Sequence, residues 1–514
     1  MTEKIKSSSN VLHRWWLGPV VALIPSLVLV LSVAKFYPKK EFDGDKTVAA
    51  LTTHFDERIP TLMDYYHIPG VIVALVQEGE TAWSQAYGYA DLEAGRKMTT
   101  QDYCRVESIS KSVTAWGVMN LVDEGKIALD DPVAPYLKSW SFPESPFSEK
   151  NITVRQLLSN SAGMPLGTIG VHYDPEDQDI PTLREILSRD AKLQREPGQE
   201  FSYSNAGFKV LELLIEEVSG RDFTTYMTDE VLLPLGMHHS SFTWSEDFTP
   251  PVPNGYDSNG DPVPVYVYPD KAAGGLFATV GDIATFAGAG MTDFSSRGLN
   301  VMDAAAIHQL YEPVVEIHGA YGLAFEAYGL GHFIERLPTG QKSVAHGGQG
   351  SGWMTHFQSV PETGNGIVIF TNSQRSWPFF GYLLNDWAAW SGFDSAGMGA
   401  IVQGTWIAWG LIGLLFFLAF WQAWLLVRGL ATGSRRLAPL SEKSRLLRSG
   451  QVFVALLLLA LLWWSTSQEY FFLSAVFPIA SGWLGWAVLV LALALLLSAL
   501  FPAKDVPFSR EQAS

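Results

Sequence analysis

Four apolar stretches without one charged residue bracket this chain, and no other feature limits its folding as much. Residues 15–34 near the start, and 401–427, 452–464 and 483–501 near the end, contain no Asp, Glu, Lys or Arg. A helix of about 20 apolar residues spans a bilayer, and each stretch reaches that length alone or with its uncharged flanks. Pro19 and Pro25 lie in the first stretch, and proline is tolerated in membrane helices. Ser32-Val33-Ala34 has the look of a signal cleavage site, but signal cores run only about 7–15 residues. An uncleaved anchor is therefore expected, and the region after it is exported in either case. Between the second and third stretches, Arg428, Arg435, Arg436, Lys443, Arg445 and Arg448 face one acid, Glu442. Cytoplasmic loops are rich in Lys and Arg, so 428–448 is expected inside. Counting helices backwards puts 35–395 outside and the N-terminus inside, in agreement with Lys4, Lys6 and Arg14. Trp406, Trp409, Trp463, Trp464, Trp483 and Trp486 are candidate interface residues. The chain thus divides into an anchor or signal segment (1–34), an exported domain (35–395) and a three-helix membrane region (396–514).

These stretches explain the overall composition, 47% apolar and only 17% charged. The net charge of −17, with no basic face in the middle region, excludes nucleic acid as a partner. Cys104 is the only cysteine, so there is no intrachain disulfide. That suits a cytosolic protein or a bacterial envelope protein built without them.

Periodicity in the exported region predicts an amphipathic helix over 48–66. A hairpin follows, with strands 71–77 and 81–89 parted by Glu78-Gly79-Glu80. Helices are expected over 108–125, 153–159, 181–191, 206–219 (ended by Gly220) and 280–289, with an irregular insertion over 245–275. Strands 321–325, 331–335, 343–346, 353–360 and 366–371 and a closing helix over 379–390 complete the domain. Strands at both ends with helices between them indicate an α+β domain, its antiparallel sheet using both ends of the chain and its middle forming a helical lobe.

Chemistry is concentrated in three short runs. Ser108 and Lys111 stand one helical turn apart at a helix start, so both point the same way. A serine nucleophile needs a base within hydrogen-bond reach, and the helix N-terminus favours the negative charge of acyl transfer. The structural alternative is a helix cap with a solvated lysine behind it. A second Ser-x-x-Lys, Ser32 to Lys35, ends an apolar segment and is accidental. Tyr203-Ser204-Asn205 follows the turn Glu196-Pro197-Gly198; it is either a capped helix start or a tyrosine held at a helix mouth. His346-Gly347-Gly348-Gln349 follows an apolar strand; it is either a strand end with a turn or a place where backbone approaches a ligand closely. There is no His-Glu-x-x-His and no phosphate-binding glycine motif.

In this order, Ser-x-x-Lys, Tyr-x-Asn and His-Gly-Gly resemble the serine β-lactamase and penicillin-binding protein family, in its class C-like branch. Leu157-Leu158-Ser159-Asn160-Ser161-Ala162-Gly163 looks like the family's Leu-Leu-x-His-x-Ser-Gly, with Asn160 in place of the histidine. Pro234-Leu235-Gly236-Met237 and Ala273-Gly274-Gly275-Leu276-Phe277-Ala278-Thr279 also sit where the family has such runs. The resemblance covers about 45–390 and implies a β-lactamase/transpeptidase-like fold. It implies that Ser108 is acylated, that Lys111 takes its proton, and that Tyr203 is a second proton shuttle able to act as phenolate. By the same resemblance, Ser108 and Gln349 supply the oxyanion-hole N–H groups, and Asn205, His346, Gly347 and Gly348 contact substrate. Glu107 is expected to point away from Lys111. No metal or cofactor is implied.

Members that bind β-lactams usually carry Lys-Thr/Ser-Gly where this chain has His346-Gly347-Gly348, which is closer to the esterase and peptidase members. The expected activity is thus hydrolysis of an ester, amide or peptide through an acyl-enzyme. The expected setting is the outer face of a bacterial plasma membrane, with a small-molecule or peptide acyl substrate and the lipid bilayer as partners. An exported serine domain followed by three membrane helices also resembles prodrug-activating peptidases of the colibactin-maturation type. A true β-lactamase and a non-catalytic envelope receptor for peptidoglycan or β-lactam are the alternatives. Oligomeric state is left open.

Overall fold

A computed structural model describes residues 17–34, 41–319, 321–393, 396–438, 445–468 and 472–502. The chain forms two compact units, 38–402 and 403–514 together with the N-terminal segment.

The larger unit is built on a nine-stranded sheet. Its strands are β1 (Gly70–Gln77), β2 (Glu80–Asp91), β3 (Arg96–Lys97), β4 (Val315–Glu316), β5 (Ala327–Tyr328), β6 (Phe333–Arg336), β7 (Lys342–Gly350), β8 (Trp353–Val360) and β9 (Asn365–Thr371). The order is β3-β2-β1-β9-β8-β7-β6-β5-β4, antiparallel throughout. The early hairpin joins the late strands through β1 and β9, from Val71↔Thr371 to Val76↔Gly366. Strand β1 is buried from Gly70 to Val76, as a strand covered on both faces must be. Ile72, Ala74 and Val76 share a core with Ile283, Phe286 and Ala287 of a helix over Val280–Ala289. The helix over Val48–Tyr66, α1, packs with the helix over Trp377–Ser391, α2, against β2 and β9.

Expectation and structure part at two places in the sheet. The segment 321–325 is not a strand but a 3-10 turn at Tyr321–Leu323. The N–H groups of Ala324 and Phe325 both bond Tyr321 O at 3.0 Å, so these donors are satisfied locally, and β5 and β4 continue the sheet instead. Strand β7 does not end at His346. Its glycines stay paired with β8 as far as Gly350↔Trp353.

Against this sheet lies α3 (Ile109–Asp123), buried at every residue from Ile109 to Leu121. Its buried serine, threonine and asparagine side chains are all bonded, while Trp116 Nε1 has no partner among the described residues. Ser110 Oγ donates to Glu107 O at 2.6 Å, Ser112 Oγ to Gly331 O at 2.7 Å, Thr114 Oγ1 to Ala272 O at 3.1 Å, and Asn120 Nδ2 to Val301 O at 2.7 Å. The helical lobe holds Val154–Leu158 and Leu183–Asp190, both opened by capping boxes, from Thr153 with Gln156 and from Thr182 with Glu185. It also holds α4 (Asn205–Ser219), capped by Ser204 and stopped by Gly220 at φ 69°.

Toward the C-terminus, Gly399–Ala431, Arg445–Thr466 and Pro478–Leu500 are each long and apolar enough to cross a membrane. The described part of the expected N-terminal anchor is a helix, Leu17–Ala34; Trp15, Lys4, Lys6 and Arg14 lie outside the described residues, as do Glu442 and Lys443 of the basic loop. Arg435 bonds Ser498 Oγ at 3.0 Å and Arg448 bonds Ala499 O at 2.8 Å, placing cations at a helix C-terminus, where its dipole favours them. Trp406, Trp463, Trp464 and Trp486 are exposed, but Trp409 is buried with Ile412, Phe416, Ala480 and Ala487. It is a helix-packing residue rather than an interface one.

A buried carboxylate ties the ends of the larger unit together. Asp386 of α2 receives Arg58 Nε at 3.1 Å and Phe42 N at 2.9 Å, and neither charged side chain is solvated. Asp386→Ala leaves Arg58 buried without its counter-charge. The expected cost is about 3–5 kcal/mol, read as a lower Tm of the detergent-solubilised chain and partly recovered in the double variant with Arg58→Met.

Candidate active site

The chain reaches Ser108 from a short pairing of Cys104–Arg105 with Phe277–Ala278. Val106 N then bonds Leu276 O at 3.1 Å, and Glu107 turns the backbone into the left-handed region at φ 53°. Few non-glycine residues sit there without strong support, and the Glu107 side chain provides it. Its Oε1 accepts from Arg105 Nε and from the Tyr266 hydroxyl, both at 2.9 Å, and its Oε2 accepts from the Tyr268 hydroxyl at 3.0 Å. Glu107 therefore points away from Lys111 and bonds elsewhere.

Ser108 opens α3 without capping it through its side chain, and its N–H has no backbone acceptor among the described residues. Lys111 is not the solvated lysine of the structural alternative. It is 0% exposed, and its Nζ lies 3.1 Å from Ser108 Oγ and 2.7 Å from Ala273 O. Among the described residues no carboxylate bonds it. Burial brings Lys111 down to about 7; Asp270 and Glu107 oppose the fall and Lys209 adds to it.

Tyr203 lies beside this pair, with the Lys111 amine 5.0 Å from the centre of its ring and Ser108 close enough to favour its ionised form. Burial, then the neighbouring Tyr321, push its pKa up, which favours the phenol at rest. Asn160 holds its loop from both sides. Ser202 N donates to Asn160 O at 2.7 Å and Ser204 N to Asn160 Oδ1 at 3.0 Å. Asn160 sits at φ 54°, a conformation asparagine tolerates better than most residues. Asn205 is the first residue of α4; its N–H bonds Leu166 O at 2.9 Å, and its half-exposed side chain takes no hydrogen bond from the described residues.

The glycine strand passes the turn before Ser108 closely. A Cβ at Gly348 would overlap the Val106 carbonyl, and one at Gly350 the Glu107 carboxylate. Gly347 and Gln349 face the other way. A Cβ at Gly347 would come within 3.0 Å of the Trp377 ring, and Gln349 Oε1 accepts from Trp377 Nε1 at 3.0 Å. His346 is wholly buried, with Nε2 3.0 Å from the Tyr328 hydroxyl and Nδ1 2.8 Å from Gly347 O. Burial, with Lys111 next, holds its pKa well below the usual value. His346 is thus a buried residue with both ring nitrogens engaged, and Gly347 makes room for Trp377.

Sequence reasoning missed the Arg105–Glu107–Tyr266–Tyr268 cluster and a second one on α4. There Lys209 Nζ bonds Asp190 Oδ2 at 2.7 Å and lies 3.3 Å from Asp270 Oδ1. Glu212 Oε2 accepts from Lys271 N at 2.7 Å and Ala272 N at 2.8 Å. The available signal was Lys209 and Glu212 inside the apolar run Phe208–Ile215, at helical spacing on buried positions. Among the described residues no His, Cys, Asp or Glu group could hold a metal.

A family model described as Beta-lactamase matches residues 55–384. Protein flp of Staphylococcus aureus (strain MW2) is 29% identical over 203 residues, 37% of this chain and 39% of that protein, so the chain spans about two fifths of this curated relative's length. Among solved structures, the octameric penicillin-binding protein homologue from Pyrococcus abyssi is similar with a TM-score of 0.56 and 26% identity, over 68% of this chain and 78% of that one. SurE in complex with D-Leu is similar with a TM-score of 0.54 and 25% identity, over 68% and 76%. With the matched residues running from within α1 to within α2 and holding the whole sheet and the Ser108 helix, the chain belongs to the beta-lactamase family.

Proposed function

We propose that the protein is a membrane-anchored serine hydrolase that forms an acyl-enzyme at Ser108 on an ester, amide or peptide. The observation that carries this reading is Lys111, buried 3.1 Å from Ser108 Oγ with no carboxylate on its amine. A base must be largely deprotonated where it works, and a lysine near 7 meets that requirement. Lys111 takes the Ser108 proton as Oγ attacks the substrate carbonyl. The N–H groups of Ser108 and Gln349 receive the oxyanion. The Tyr203 phenol gives its proton to the leaving group, and the lysine proton replaces it. Water then attacks the acyl carbonyl by the same route and frees Ser108.

The substrate side favours a peptidase or esterase over a β-lactamase. A penicillin carboxylate meets no cation at His346, held neutral, and no hydroxyl at Gly347. Arg375 donates to Ser258 O at 2.9 Å. A missing charge-assisted hydrogen bond costs about 1.5–3 kcal/mol, or roughly ten- to hundredfold in affinity. A similar fold that binds D-Leu supports a D-configured residue on the acyl side, in the manner of a prodrug-activating peptidase. A non-catalytic receptor would have no use for a desolvated amine against a serine hydroxyl.

Three outcomes are expected. Ser108→Ala loses about 10³-fold or more of turnover and all labelling by a fluorophosphonate, followed by intact mass; retained labelling elsewhere with full turnover would reject Ser108. Labelling of the native protein rises as pH passes through about 7, where Lys111 loses its proton, whereas Lys111→Arg, which stays charged, is slow at every pH. D-amino-acid amides are cleaved faster than penicillins; efficient penicillin turnover would overturn the substrate reading. For topology, we propose that 428–448 is cytoplasmic and 35–395 outside. A thiol reagent should reach Ser434→Cys, in a Cys104→Ser background, only after the membrane is breached.

A further inference from the structure

Two fully buried ionisable residues on α4, Lys209 and Glu212, have no part in the mechanism above, yet both act on the segment that holds Lys111. Glu212 gives one carboxyl oxygen to two successive N–H groups, Lys271 at 2.7 Å and Ala272 at 2.8 Å. The next carbonyl, Ala273 O, receives Lys111 Nζ at 2.7 Å. From the other side, Thr114 Oγ1 donates to Ala272 O at 3.1 Å. Residues 271–273 are thus clamped between α4 and α3. One turn earlier on α4, Lys209 joins Asp190, at the end of the helix over Leu183–Asp190, to Asp270, at the head of the clamped segment. All four of these side chains are at least nine-tenths buried.

A neutral lysine amine has two N–H bonds and one lone pair. If Ala273 O takes one N–H, the lone pair is left to face Ser108 Oγ, 3.1 Å away. The direction of the base is therefore set by where Ala273 O is held. Its charge state is set by what surrounds it. Glu107 lies near it on its own turn with its carboxylate bonded elsewhere, Asp270 on the clamped segment, Lys209 and Tyr203 on α4 and its leading loop, and His346 on β7. Asp270 favours the charged amine and Lys209 disfavours it.

We infer that Lys209, Asp270 and Glu212 are positioning residues for Lys111: Glu212 fixes the carbonyl that aims the amine, and Lys209 ties down Asp270, the carboxylate at the head of the clamped segment. This rests on the reading of Lys111 as the base for Ser108. Burying Lys209 and Asp190 as charges is costly unless each is paired, and here both pairs meet at the Lys209 amine.

The test is the pH dependence of fluorophosphonate labelling at Ser108, in the detergent-solubilised full chain, by intact mass. Lys209→Met removes the cation and frees Asp270, so the acid limb moves up by about one pH unit, and Lys209→Arg brings it back. Asp270→Asn removes the anion and moves the limb down. A purely structural role would slow labelling at all pH values without moving the limb. Glu212→Leu strips two N–H groups of their acceptor and slows labelling throughout, and Glu212→Gln, which keeps an accepting oxygen, recovers most of that loss. If Lys209→Met does not fold, Asp270→Asn, of unchanged size, carries the test alone. A limb that stays in place in the folded variants overturns this inference and leaves Ser108 as nucleophile. A native protein unlabelled at every pH overturns the reading beneath it.

Discussion

Helix α3 is buried around its whole circumference while carrying Ser110, Lys111, Ser112, Thr114 and Asn120. A buried polar group without a partner costs about 1–3 kcal/mol, so each of these side chains commits another part of the chain. Ser112 binds the Gly331 carbonyl, and the strands beyond that loop reach the sheet from there. Thr114 and Lys111 draw in Ala272 and Ala273, and Asn120 draws in Val301. Ser108, at the head of such a helix, is held by the packing of nearly the whole unit. It needs no rigidity of its own.

Much of this was legible from periodicity. The helix Val48–Tyr66, the strand Trp353–Val360 and the helix Val280–Ala289 lie where apolar spacing and turn residues put them, because each has one face or both against a core. The turn at Tyr321 was not legible. Tyr321 and Phe325 look like strand residues, but their rings lie on Phe333 at 6.0 and 4.4 Å, a tertiary contact that local pattern does not encode. The same holds for His346-Gly347-Gly348. The run suggested a ligand strand by composition alone. Only the register with β8 and the approach to Val106 separate Gly348, which faces the nucleophile turn, from Gly347, which faces Trp377.

Ser108 and Lys111 are readable as a pair because one helical turn fixes their relation. The neighbours that decide their charge are not, because Arg105 and Glu107, Lys209, and Asp270 come from three separate segments. Each looks like an ordinary surface charge until the fold closes over it. Glu107 shows how far context reaches. A carboxylate beside a nucleophile should oppose the charge that develops there, but with Arg105 and two tyrosine hydroxyls upon it its charge is spent locally and its backbone becomes the hinge that aims Ser108.

The pairing of β1 with β9 also bears on how the molecule is made. Val71 to Val76 is an unbroken apolar edge, and its partner ends at Thr371. At about 5–20 residues per second of synthesis, that edge waits roughly 15–60 s for its neighbour. Through that interval the nascent chain already holds an apolar segment at 15–34 and an open strand with its N–H and C=O groups unmatched, the ordinary template for pairing with the wrong chain. Assembly of the sheet is therefore a late event with high contact order, and the hazard for this protein lies in the time before its last strand emerges.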